Sequence, residues 1–92
     1  NKIYKKKINN RRSIGDSSLF EIAYKKALEG YHIEAISIYS KLLKKDPYHI
    51  NALRNRGKSK ETLGDIKGAC SDWLKATNLG DIHVRYWIKK RC

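Results

Sequence analysis

The chain has 92 residues, with 21 Lys and Arg, nine Asp and Glu, and a net charge of +12 at pH 7. A chain of this length forms one small domain, and its two cysteines exclude a disulfide-rich scaffold. The positive charge favours anionic partners, and no apolar run reaches the ~18 residues of a membrane span.

The N-terminal segment, residues 1–15, is strongly basic, since it holds six Lys or Arg and no acidic residue. We interpret it as a basic arm that becomes ordered on binding, or as the remnant of a preceding helix. The cations that we expect to contact an anionic partner are Lys5, Lys6, Lys7, Arg11 and Arg12.

From Asp16 onward, apolar residues recur at helical spacing, and no segment alternates apolar and polar residues long enough to indicate a strand. Glycines and the Asp46-Pro47 pair interrupt this pattern at the expected turns. The sequence therefore predicts an all-α fold with five helices in antiparallel pairs, at about 20–29, 34–45, 51–63, 66–78 and 82–91.

Two segments of the chain are similar to each other at a fixed distance. A separation of 34 residues relates the pairs Gly30 and Gly64, Ala35 and Ala69, and Tyr39 and Trp73. A period of this length, built from a helix, a short turn and a second helix, is typical of a solenoid.

The positions of small and aromatic residues resemble the tetratricopeptide repeat. The resemblance rests on Leu53, Gly57, Gly64-Asp65, Ala69, Trp73 and Ala76 in the second segment, and on Ala23, Gly30, Ala35, Tyr39 and Asp46-Pro47 in the first. Leu42 departs from the family pattern, which usually has alanine there. The resemblance implies an antiparallel helix-pair solenoid, with repeats at 16–49 and 50–81 and a capping helix at 82–92. The end of the chain is also similar to the closing repeats of small bacterial, notably cyanobacterial, members.

Packing roles follow for the small and aromatic residues of both repeats. Gly64 permits a sharp turn, Ala69 lets two helices approach closely, and Trp73 fills the space one turn later. The residues expected to form the structural core are Ala23, Gly30, Ala35, Tyr39, Leu53, Gly57, Gly64, Ala69, Trp73, Ala76 and Trp87.

The resemblance also implies a class of function, because these repeats form scaffolds whose concave face grips peptides or partner domains. By the family geometry this face carries Asn51, Arg54, Asn55 and Lys58 from the second repeat and Phe20, Tyr24 and Leu28 from the first. The first set is cationic and suits a carboxylate, whereas the second is largely apolar. We expect Arg54 and Lys58 to be exposed and the bound segment to be acidic at one end and apolar at the other; a merely solvated basic face is the alternative.

Nothing in the sequence indicates catalysis, a metal site, a cofactor or a small-molecule substrate, since the histidines are scattered and no motif places a nucleophile beside a base. The expected function is a non-enzymatic scaffold or assembly factor for an acidic protein or a large complex. One alternative is a basic linker subunit of a large complex, by resemblance a photosynthetic one in a cyanobacterium or plastid. Another is RNA binding, which charge alone supports. Whether Cys70 and Cys92 are bonded is left open by their spacing.

Overall fold

The computed structural model describes the backbone of residues 11–92 and the side chains of residues 19–92. This part of the chain forms the helices α1 (Arg11–Leu28), α2 (His32–Lys45), α3 (Ile50–Thr62), α4 (Ile66–Asn78) and α5 (Arg85–Arg91). Residues 11–92 contain no β-strand, so the prediction of an all-α fold is confirmed.

Two helices begin at positions that differ from the prediction. Helix α1 begins at Arg11 and not near residue 20, so the backbone of residues 11–15 belongs to this helix. The helix runs through Asp16 because that stretch has no proline to block it. Helix α5 begins only at Arg85, because the Asp81 carboxylate accepts the backbone N–H of His83 at 2.9 Å and holds residues 81–84 in a turn.

Glycines with positive φ end three of the helices: Gly30 at 91°, Gly64 at 89° and Gly80 at 108°. In each case the backbone N–H of the residue after the glycine donates to a carbonyl near the end of the helix. Tyr31 donates to Lys26 at 2.8 Å, and Asp65 donates to Lys60 at 2.8 Å. This is the bonding pattern of a Schellman cap, which favours glycine because a β-carbon is strained at positive φ. Consecutive helices are therefore joined by short links.

Each helix packs mainly against the helices before and after it in the chain, and α1 also contacts α3. The buried core that results consists of Ala23, Ala35, Tyr39, Leu42, Leu43, Ala52, Leu53, Ala69, Trp73, Ala76 and Val84. Leu42 is fully buried although it departs from the family pattern, and Val84 is a core residue that the sequence did not indicate.

Trp73 is the largest fully buried side chain of the core. Gly57 lies directly against it, and a β-carbon at that position would overlap the indole ring. The indole N–H donates to the backbone carbonyl of Arg54 at 3.3 Å. Trp87, which was expected in the core, is only partly buried and lies on the indole with 5.3 Å between ring centroids. The contact of α3 with α4 is thus built around one tryptophan.

Candidate functional site

The predicted binding residues that the structure describes lie on α1 and α3, which contact each other. The surface that these residues form is named the α1–α3 face: Phe20, Tyr24 and Leu28 of α1 with Asn51, Arg54, Asn55 and Lys58 of α3. Of the cations predicted in the arm, Lys5, Lys6 and Lys7 lie outside the described residues. Arg11 and Arg12 open α1, but their side chains also lie outside the description.

An aromatic cluster forms one end of the α1–α3 face. The Phe20 ring stacks on Tyr24, with 5.9 Å between centroids, and on His49, with 5.5 Å between centroids. It also meets the buried Tyr39 ring at 5.9 Å in a tilted arrangement. Because rings at such separations attract one another, the stack holds Phe20 in place while Tyr24 stays 43% exposed. Leu28 lies further along α1 and is 70% exposed.

His49 belongs to this cluster, although the sequence analysis assigned it no role. Its side-chain Nδ1 accepts the backbone N–H of Ala52 at 3.1 Å and so caps the first turn of α3. The same ring stacks on Phe20 and connects α1 to the start of α3. The position of His49, directly before the first apolar residue of α3, is the signal that could have identified it as a cap.

Amide side chains occupy the neighbouring positions of α3. The Asn55 side chain donates from Nδ2 to the backbone carbonyl of Asn51 at 2.7 Å. This bond fixes the orientation of the Asn55 amide, whose oxygen remains an acceptor. Asn51 is exposed and Asn55 is half-buried, so both amides lie at the surface.

Arg54 is not the exposed cation that we expected. Its guanidinium donates from Nε to Asp81 Oδ2 at 2.9 Å and from Nη2 to Asp81 Oδ1 at 3.3 Å. The Arg54 side chain is 24% exposed, and the Asp81 side chain is fully covered. The two-point ion pair joins α3 to the turn before α5, so Arg54 acts first as a structural residue.

The environment of Asp81 has opposing effects on its carboxyl group. Burial acts to raise the pKa of Asp81, but the hydrogen bonds from Arg54 and from the His83 backbone, with the positive charges nearby, outweigh it. The pKa of Asp81 therefore lies below its ordinary value, and the carboxylate is charged near neutral pH.

The protein should lose stability in acid because of this group. A carboxyl whose pKa is lower in the folded chain stabilises the fold fully above the unfolded pKa of about 3.9 and loses that effect as the pH falls through the folded value. Urea unfolding measured between about pH 2 and pH 6 should show a decline that is weaker in Asp81→Asn. If the two pH profiles run parallel, the Arg54–Asp81 pair does not contribute to the acid dependence.

Lys58, the second predicted cation of the α1–α3 face, also contacts neighbouring side chains. Its Nζ lies 3.3 Å from Glu61 Oε1 and 4.6 Å from the centroid of the Trp87 ring. Arg91 of α5 pairs with the same Glu61. The Lys58 side chain remains 44% exposed, so it is the freer of the two cations.

A second ion cluster forms behind α3, around the buried Asp72 of α4. Arg56 donates to both of its carboxylate oxygens, at 2.8 and 2.7 Å, and Lys60 lies 3.2 Å away. The Arg56 guanidinium also donates to Ser40 of α2 at 3.0 Å. The cations of α3 are thus used largely to hold α2, α4 and α5 in place.

The exposed positive charge lies on other helices. Among the side chains of residues 19–92, several exposed lysines form no ion pair with a described residue, and most of them belong to α2, α4 and α5. They are Lys25, Lys41, Lys44, Lys45, Lys67, Lys75, Lys89 and Lys90. The sequence predicted an exposed cationic surface on α3 because it did not show which acidic side chains would pair with the cations of this helix.

A pocket of about 410 Å³ opens at the link between α1 and α2. It is lined by Gly30, Tyr31, His32, Ile33, Glu34 and Leu63. Tyr31, Ile33 and Leu63 are each at least half exposed, which makes the pocket a shallow apolar surface. It lies away from the aromatic cluster of Phe20.

No group of three or more His, Cys, Asp or Glu side chains in the described part of the chain is arranged to hold a metal ion. None of the helices within residues 11–92 combines the length and the apolar character that crossing a membrane requires. Protein-family models give no match to this chain, and no curated protein shows significant similarity to it.

Proposed function

We propose that the chain is a non-enzymatic protein-interaction module of the tetratricopeptide type, which binds an acidic partner protein. The observation that carries the proposal is the α1–α3 face, where the exposed Tyr24 ring is held by Phe20 and the amides of Asn51 and Asn55 lie at the surface. Rigid aromatic rings beside surface amides are side chains that protein interfaces use for contact area and hydrogen bonds.

Several features support the repeat arrangement within this proposal. Helices pack on their chain neighbours, glycine caps recur at Gly30 and Gly64, and the molecule is elongated, with extents of 48 × 27 × 21 Å. In a tetratricopeptide solenoid the first helix of each pair lines the concave side. The α1–α3 face then becomes the groove, and α5 caps the second repeat.

The acidic part of the partner contacts mainly cationic side chains that are not already paired with acidic side chains of the described part of the chain. Arg54 is committed to Asp81, so the carboxylate clamp expected on α3 is reduced to Lys58. The exposed lysines of α2, α4 and α5 and the basic residues 1–15 supply the remaining positive field. We assign to Tyr24 and the amides the close contacts and to the lysines the attraction that speeds association.

The experiment is affinity capture from the native source with the full chain, followed by titration of the captured protein against variants. Tyr24→Ala combined with Asn55→Ala should weaken binding at least about tenfold, because contacts at an interface centre carry most of the affinity. Ser71→Ala, at an exposed position of α4, is the matched control and should bind like the parent.

Two results would contradict the proposal. If the Tyr24 and Asn55 double variant binds the captured protein as tightly as the parent does, the contact surface lies elsewhere. If the parent instead binds unrelated single-stranded RNAs with equal affinity and a steep loss with salt, the positive charge serves nucleic acid. Circular dichroism of each variant checks that the helices are intact.

A further inference from the structure

The last helix is tied to its neighbour by a covalent bond. Cys70, in the middle of α4, forms a disulfide with Cys92, which directly follows α5. The two residues are 22 positions apart, so the bond closes a loop that contains the second half of α4 and all of α5. Neither residue has a role in the α1–α3 face.

The non-covalent contacts that hold α5 are few. The helix has seven residues, none of them fully buried, and helices much shorter than about 12 residues do not persist alone. Trp87 covers the Trp73 ring, Ile88 is partly buried, and Val84 is buried just before the helix begins. This small apolar contact is the main attachment of α5 besides the disulfide.

Polar contacts of α5 itself add little, because the Arg54–Asp81 pair holds only the turn before this helix. Arg91 pairs with Glu61, and Lys58 lies over the Trp87 ring, but both cationic side chains are at least 40% exposed. Ion pairs whose cation is this exposed are partly screened by water and contribute little to stability. The disulfide is therefore the contact that does most to keep α5 packed against α4.

The bond is also open to reagents in solution. Cys92 is exposed, whereas Cys70 is partly buried in α4. A thiolate of a dithiol reductant can attack Sγ of Cys92, which breaks the bond and releases Cys70 as a thiolate. The second thiol of the reductant then displaces Cys92, so that the reductant leaves as a disulfide and the protein, after taking up two protons, holds two thiols.

We propose that the Cys70–Cys92 pair is a redox latch, the substrate of a dithiol reductant, and that its reduction releases α5 and uncovers the apolar surface around Trp73. In the oxidised chain Trp73 is fully buried, with Trp87 lying on it. Release of α5 exposes part of this ring beside Val84. The latch involves no residue of the aromatic cluster.

Tryptophan fluorescence tests the latch directly, because the two tryptophans of the chain are the two rings in contact. The full chain is first oxidised and its thiols are counted, and then dithiothreitol is added. Reduction should shift the emission to longer wavelength and increase amide hydrogen exchange in residues 85–91 at least about tenfold, while α1 to α3 keep their protection. Reoxidation should restore both signals.

Two variants make the test specific. Cys92→Ser should show the reduced signals without any reductant and should not respond when dithiothreitol is added. Lys89→Ser changes an exposed residue of the same helix and should respond as the parent does. If reduction leaves the emission and the exchange of α5 unchanged, the apolar contact alone holds the helix and the proposal is wrong. If reduction unfolds the whole chain, the bond is a structural staple and the proposal is also wrong.

Discussion

Replacing Trp73 with alanine should lower the free energy of unfolding by about 3–5 kcal/mol, the range for deleting a large buried aromatic ring. The side chain is fully buried, lies against Gly57 and donates its N–H to the Arg54 carbonyl. Its removal leaves a cavity between α3 and α4 and takes away the surface on which Trp87 lies. Urea unfolding followed by circular dichroism measures the change.

Because the expected loss of stability is large, the experiment also needs a less disruptive substitution at Trp73 and a control substitution at an exposed residue. A domain this small has only a few kcal/mol of stability, so Trp73→Ala can unfold it outright, and Trp73→Phe provides a measurable intermediate. Leu74→Ala, one residue further on α4 and 49% exposed, should change stability by less than about 0.5 kcal/mol. A Trp73→Ala chain that is as stable as the parent but binds no partner would make Trp73 a contact residue.

Reversing the charge of Arg54 should destabilise the fold by about 3–5 kcal/mol, as the loss of one partner from a buried ion pair does. In Arg54→Glu, the fully covered carboxylate of Asp81 loses two hydrogen bonds and faces a like charge. The turn before α5 then loses its connection to α3. Thermal and urea unfolding of the single variant measure the loss.

Lys58 offers the matched control on the same helix. The Lys58 side chain is 44% exposed, and its partner Glu61, 15% exposed, keeps Arg91 as a second cation, so Lys58→Glu should cost less than about 1 kcal/mol. Adding Asp81→Lys to Arg54→Glu should recover part of the lost stability by restoring an opposite pair. If Arg54→Glu is as stable as the parent, Arg54 is the exposed binding cation that the sequence predicted.

The helices could be predicted because their signals are local. Glycines and the Asp46-Pro47 pair mark the helix ends, and small and large apolar residues recur at positions that the helical period brings to one side. Ala69 and Trp73 therefore lie in the core where their spacing puts them. The start of α1 was missed because Gly15 and Asp16 have low helix propensity and the residues before them are mainly basic and polar.

The candidate site was predicted less well because its details depend on distant residues. Arg54 was expected at the surface because the helical period puts it on the same side of α3 as Asn51, Asn55 and Lys58. Its partner Asp81 is 27 residues away, in a turn whose path the helical period does not specify. The disulfide between Cys70 and Cys92 was left open for the same reason. His49 joins a stack on α1 that only the folded chain assembles.

The packing of each helix on its chain neighbours has a kinetic consequence. Contacts between residues that are close in sequence cost little loop-closure entropy, so a chain of this kind folds quickly and can begin at any neighbouring pair of helices. Opening proceeds in the reverse sense, by fraying from the ends, since α1 and α5 lack a neighbour on one side within residues 11–92. With α5 covalently tied to α4, opening at that end of the oxidised chain is restricted, and reduction of the disulfide restores it.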